Sequence, residues 1–315
     1  EGKENYFNGL PVMQILREMK LFILNISILC ILLIALNSYA SEKPTVFVSI
    51  VPQKYFVQQI SGDLVKVEVM VQPGASPATY EPKPSQMAGL SSCALYFAVG
   101  VPFENVWLDR ISAMQPKMKI VRTDRNISKI AMARHHHEEG EGEQIGEAKQ
   151  HGHPILDPHI WLAPSLVKQQ AAEILAGLID LLPGEASALS RNYHLFLKQV
   201  DALDLELKAL LQDRAGMRFM VFHPSWGYFA REYALLQVPI EIEGKAPKPA
   251  QLAEIIYQAR NNDIQIVFVQ PQFSQKSAAV IAKEIGGKVE VVDPLAGDWQ
   301  NNLRDVARKF NRAVK

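Results

Sequence analysis

The chain has 315 residues, 48% of them hydrophobic, which is enough to bury one large core or two ordinary ones and too apolar for a disordered polymer. Its 33 Lys and Arg balance its 33 Asp and Glu, so no overall field points to nucleic acid or to an acidic partner. From Met19 the sequence "MKLFILNISILCILLIALNSYASEK" carries Lys20, an apolar run over 21–36, and a small-x-small site at Ser38 and Ala40. This pattern predicts a secretory signal peptide cut after Ala40 and a periplasmic or otherwise extracytoplasmic destination. The run is shorter than the ~20 apolar residues of a bilayer span and Asn25 interrupts it, so no membrane span is expected in the mature chain. Cys30 follows Leu29 with no small residue before it, which argues against a lipid-modified cysteine. Residues upstream of Met19 read as extra sequence, and 1–40 together as an N-terminal extension and signal peptide. Once Cys30 is removed Cys93 stands alone, which excludes an internal disulfide; within "SSCALYFAVG" it reads as a small buried hydrophobe.

From Pro44 onward, β-rich runs at 45–51, 64–71, 94–100 and 118–123 alternate with helical spacing in "QKYFVQQISG" and "KPSQMAGLSS". Strand then helix, repeated, predicts a mostly parallel sheet in a lobe spanning 41–185. Inside it the turn "GASPATYEPKPSQM", residues 74–87, is stiffened by Gly74, Pro77, Pro82 and Pro84 just after an apolar strand, a usual place for ligand-binding groups, yet Ala78 occupies its centre. His135, His136 and His137 open a glycine- and glutamate-rich segment that ends with His151 and His153. That composition predicts a mobile loop over 134–153 acting as an auxiliary, low-affinity site for transition metals, zinc above all. Next, in "DPHIWLAPSLV", His159 precedes a helix started by Pro164 and Ser165.

The stretch "EASALSRNYHLFLKQVDALDLELKALLQD" has no glycine or proline and repeats apolar residues at three and four, predicting a long helix over 186–213 that is either a linker between two lobes or one arm of a helical hairpin inside a single domain. The strand and helix grammar then recurs through "MRFMVFH", "QVPIEIEG", "IQIVFVQ" and "KVEVVDP", giving a second lobe over 214–315. His223 terminates the first of these strands and Asp293 the last, so His159 and His223, read as strand-end residues of different lobes, should face one cleft.

With "GASPATYEPKPSQ", the histidine-rich insert, "DPHIWLAP", "FHPSWGYFA", "EGKAPKPAQL" and "DPL" in view, the chain resembles the ZnuA-like family, the cluster A-I (TroA/ZntC-type) solute-binding proteins of zinc and manganese ABC importers. The resemblance covers nearly all of the mature chain. It implies an α/β fold of two (βα)-type lobes with parallel-rich sheets, joined by one rigid linker helix, and a divalent cation held between them. It also implies a monomer that delivers Zn2+ to an ABC permease as its transported ligand, with Mn2+ the alternative, and no enzymatic activity.

By position, His159 matches the family's second ligand, His223 its third and Asp293 its fourth. Manganese receptors usually place glutamate at the third position, so His223 leans toward zinc. The first ligand, a histidine in most members, is replaced by Ala78, as in a subgroup resembling ZntC-type proteins. Zinc prefers four donors. Glu81 is the preferred substitute, because a carboxylate binds without losing a high-pKa proton, ahead of Tyr80 on the same turn, water, or Gln270. The alternatives are a metal-buffering or adhesive surface protein not coupled to transport, and a zinc hydrolase, against which the lack of an HExxH-like pair counts.

Overall fold

The computed structural model describes residues 16–20, 22–24, 26, 43–133, 155–242 and 244–313, and its contacts divide the chain into two units, Glu1–Lys43 and Pro44–Lys315. In the first unit the described residues are exposed, and those before Lys43 are helical. The predicted signal peptide lies mostly outside the described residues, and among these no helix is long and apolar enough to cross a membrane.

In the second unit, runs of β-branched and aromatic residues form short strands that alternate with helices. The first lobe contains β1 (Thr45–Val48), α1 (Val51–Ser61), β2 (Lys66–Val69), α2 (Pro84–Leu90), β3 (Cys93–Ala98), α3 (Pro102–Met114) and β4 (Lys119–Arg122). Its sheet is parallel throughout, in the order β2-β1-β3-β4. Val46, Val48, Leu95 and Phe97 are buried, as expected for central strands covered on both faces. Proline in the first turn starts α1, α2 and α3, where its missing N–H costs nothing and its φ suits a helix.

Two helices follow, α4 (Pro164–Leu181) and α5 (Ala186–Leu211). The 26 residues of α5 make a rod of about 39 Å at ~1.5 Å per residue. Leu189, Phe196, Val200, Leu203, Leu207 and Leu211 form its buried stripe, packed against α1, α4 and the last helix of the chain.

The second lobe repeats the plan with β5 (Arg218–Val221), α6 (Gly227–Glu232), β6 (Leu236–Pro239), α7 (Pro249–Asn261), β7 (Ile266–Val269), α8 (Lys276–Ile285), β8 (Lys288–Val291) and α9 (Trp299–Ala313). Its sheet is again parallel, in the order β6-β5-β7-β8. In each sheet the chain reverses direction of travel between its two central strands, and the crevice beyond their carboxyl ends is where such sheets take ligands.

One hydrophobic core runs through both lobes, and a second, smaller one lies within the second lobe. Trp299, at the start of α9, stands edge-on to Phe56 of α1 with ring centroids 5.2 Å apart. Its indole N–H donates to the Trp161 carbonyl at 2.6 Å, and the Trp161 indole donates in turn to the Pro294 carbonyl at 2.7 Å. The helix that ends the second lobe is thus bonded back into the first.

Candidate metal centre

His223 follows β5 by two residues, in the crevice between β5 and β7. Gln270, directly after β7 and fully buried, clasps its backbone: the side-chain oxygen accepts from His223 N at 3.2 Å, and Nε2 donates to His223 O at 2.5 Å and to Ser225 Oγ at 3.0 Å. The amide is therefore occupied in holding His223 rather than free to bind a ligand. On the ring, Nδ1 lies 2.7 Å from Glu241 Oε1. Glu241 is 7% exposed, and its second oxygen is buried with no hydrogen-bond partner among the described residues, so its charge is directed at His223.

His159 is built in the same way from the other lobe. Its Nδ1 lies 2.7 Å from Asp157 Oδ1, which also accepts from His159 N at 2.9 Å. The segment is fixed by an antiparallel ribbon in which Met132 N donates to Ile155 O and Asp157 N to Ile130 O. Tyr228 of the second lobe locks this ribbon, donating to Asp157 O at 2.9 Å and accepting from Ile130 N at 3.1 Å. Gly227 permits the approach, since a Cβ there would meet Asp157 Oδ2 at 2.7 Å. His159 is accordingly not a strand-end residue: it sits between an isolated bridge at Leu156 and a 3-10 turn over Ile160–Leu162.

The two imidazoles meet with ring centroids 5.2 Å apart and planes at 70°. In the neutral tautomer whose Nδ1–H donates to the carboxylate, Nε2 of each ring keeps its lone pair for a ligand, the arrangement typical of metal-binding histidines. Both rings line a cleft of about 800 Å3 whose walls include Pro77 and Ala78 of the turn, Pro102, Trp161 and Phe273.

Burial pushes the His159 imidazole below its ordinary value of 6.5, against the pull of Asp157. Below about pH 6.5 the unfolded chain takes up a proton here that the folded chain resists, so the unfolded state binds more protons and stability is lost as the pH is lowered through that window. Above it, His159 adds no pH dependence. Thermal melts of the metal-free protein should show Tm declining from pH 7 toward pH 5.5, and His159→Asn should flatten the decline; an unchanged slope would remove His159 as its source.

The remaining expected residues are less close. Asp293 comes two residues after β8, and its Oδ1 accepts from Gln272 Nε2 and Leu295 N, each at 3.0 Å. Pro294 and Leu295 line the cleft while Asp293 itself does not. Glu81 is exposed and outside the cleft, because the turn presents Ser76, Pro77 and Ala78 inward before Pro82 and Pro84 lead the chain into α2. The Tyr80 hydroxyl donates to Gln86 Oε1, with its ring edge-on to Phe103. Among the described residues no group of three or more His, Cys, Asp or Glu is placed to hold a metal ion. His135, His136, His137, His151 and His153 lie outside the described residues.

Sequence reasoning missed Asp157 and Glu241. Asp157 was readable as the acid two places before a histidine; Glu241, eighteen residues from its partner, meets it only because β5 and β6 are neighbours.

The model of the family described as "Zinc-uptake complex component A periplasmic" matches residues 46–313. The chain belongs to the ZnuA family. Among its relatives, a putative metal-binding protein of Chlamydia muridarum is 28% identical over 277 residues, covering 87% of this chain and 94% of the relative. The high-affinity zinc uptake system protein ZnuA of Bacillus subtilis is 26% identical over 281 residues, covering 85% of this chain and 86% of that protein. A solved structure of a ZnuA deletion mutant with zinc bound is 41% identical, with a TM-score of 0.76 over 86% of this chain and 98% of that one. The two parallel-sheet lobes and the long helix are the ZnuA architecture, and the chain is a metal-binding receptor of this solute-binding family.

Proposed function

We propose that the chain captures Zn2+ outside the inner membrane, holds it between His159 and His223, and presents it to an ABC permease. The observation that carries this reading is the pair of imidazoles, one from each lobe, 5.2 Å apart at one cleft and each backed by a buried carboxylate. Neutral imidazole suits zinc better than manganese, which favours carboxylate and carbonyl oxygen. Asp293, held by Gln272 and Leu295, and the exposed Glu81 are the further candidate ligands from the protein. A lobe over 41–185, the linker 186–213 and a lobe over 214–315 form the receptor, export follows cleavage after Ala40, and the histidines of the 134–153 insert gather metal weakly, since binding there must offset the entropy of ordering the chain.

A binding role fits the site better than hydrolysis. The buried carboxylates of Asp157 and Glu241 each set one oxygen 2.7 Å from a ring Nδ1, which makes them orienting groups for the imidazoles. Zinc uptake in zinc-poor medium is the test: deleting the gene should depress it, the wild-type chain should restore it, and a His159→Ala, His223→Ala chain should not. Uptake unaffected by the deletion would refute transport and leave metal buffering as the function.

A further inference from the structure

We propose that Gln272 is a third protein donor to the metal, binding through its side-chain carbonyl oxygen, and that Asp293 is the positioning residue that aims it. This rests on the metal-receptor reading above and names a further ligand of that same site. Gln272 lies two residues beyond Gln270 in the turn that follows β7, where Phe273 N donates to Gln270 O at 3.1 Å. The turn wraps His223: Gln270 holds its backbone, and Phe273 stacks on its ring with centroids 5.3 Å apart and planes at 24°. Gln272 is thereby brought to the wall of the cleft that both imidazoles line.

Chemistry fixes which end of the amide faces which way. Gln272 Nε2 lies 3.0 Å from Asp293 Oδ1, and an ionised carboxylate only accepts hydrogen bonds, so the NH2 end faces Asp293 and the carbonyl end is turned from it. Asp293 Oδ1 is itself pinned by Leu295 N at 3.0 Å. Gln272 Oε1 is buried without a hydrogen-bond partner among the described residues, an unfavourable state for a carbonyl oxygen that a bound cation relieves. The Glu241 carboxylate carries the other such oxygen on the cleft wall, Oε2. Its Oε1, however, is 2.7 Å from His223 Nδ1, and the two ring nitrogens point in diverging directions, so Glu241 cannot reach a metal on Nε2 without leaving the ring. The Gln272 oxygen has no such commitment. Three neutral donors then follow one plan, each oriented by a carboxylate behind it: His159 by Asp157, His223 by Glu241 and Gln272 by Asp293.

Zinc titration against a chelating dye tests this on the full chain with the five insert histidines changed to asparagine, alone and carrying Gln272→Leu, Asp293→Ala or both. Gln272→Leu should weaken zinc binding tenfold or more and Asp293→Ala by less. The double variant should bind no more weakly than Gln272→Leu, because Asp293 acts through the amide. Infrared spectra of chain labelled with 13C at the glutamine side-chain carbonyl supply a readout that a purely structural role would leave unmoved. One carbonyl band, absent from Gln272→Leu, should fall in frequency when one equivalent of zinc is added. Wild-type zinc affinity in Gln272→Leu, or a carbonyl band that zinc does not move, would overturn Gln272 as a ligand and leave the zinc receptor standing. A double variant weaker than Gln272→Leu by the full cost of Asp293→Ala would overturn the positioning role and make Asp293 a ligand in its own right. A parent chain that binds no zinc would overturn both this assignment and the receptor reading.

Discussion

Replacing either His159 or His223 with alanine should lower zinc affinity by two to three orders of magnitude while leaving the fold intact. Four-ligand protein zinc sites bind with roughly 10–16 kcal/mol, so each ligand accounts for about 3–4 kcal/mol, and every ~1.4 kcal/mol is a factor of ten. Circular dichroism of the metal-free variants should stay near wild type, with Tm lowered in His159→Ala, whose ring is buried against the Asp157 carboxylate. Asp157→Ala and Glu241→Ala act through the rings and should cost about 10–100-fold, because an unheld imidazole must be reoriented by the metal. Asp293→Ala should cost less than about tenfold and Glu81→Ala almost nothing, since neither side chain lines the cleft. Competition with a chelating dye measures the whole series. Equal losses across all six variants would show that the cleft does not discriminate its imidazoles from its rim.

Trp299→Ala should be the most damaging substitution away from the cleft, at about 3–5 kcal/mol for removing a buried aromatic, with a hydrogen bond lost in addition. The indole packs against Tyr55 and Phe56 of the first lobe, so the loss falls on the junction between lobes. It also frees the Trp161 carbonyl in the segment that carries His159. Denaturant unfolding should therefore show a lower midpoint, and zinc affinity should fall as well because His159 is no longer held in register with the second lobe. Trp299→Phe, which keeps most of the packing and drops the hydrogen bond, should recover more than half of the stability. If Trp299→Ala unfolds at the wild-type midpoint, the lobes are not coupled through this contact.

Most of the fold was readable because it depends on local pattern. Apolar runs such as Ile266–Val269 are strands buried on both faces, and the break-free apolar stripe from Leu189 to Leu211 is a helix whichever neighbours it has. Two helices escaped. In α9, Trp299, Leu303, Val306, Ala307 and Phe310 do follow helical spacing, but they are diluted by charge and amide residues across "WQNNLRDVARKF". In α3, Phe103, Leu108 and Ile111 are too few to stand out from the exposed Val106 and Met114. His159 and His223 stood out beside prolines, but only His223 follows a strand, while His159 sits between an isolated bridge and a 3-10 turn. Their carboxylate partners were less legible, because Glu241 reaches His223 through sheet topology rather than spacing. Glu81 shows what spacing does not carry: it lies three residues from Ala78, and its side chain is exposed on the turn.

The central claim is that one metal sits between His159 and His223. X-ray absorption at the zinc edge tests it most directly, on a chain loaded with one equivalent of zinc and with His135, His136, His137, His151 and His153 replaced by asparagine. Two imidazoles per zinc are predicted, falling to one in His223→Ala and one in His159→Ala. Zinc with no imidazole, or an imidazole count that neither substitution changes, would contradict it.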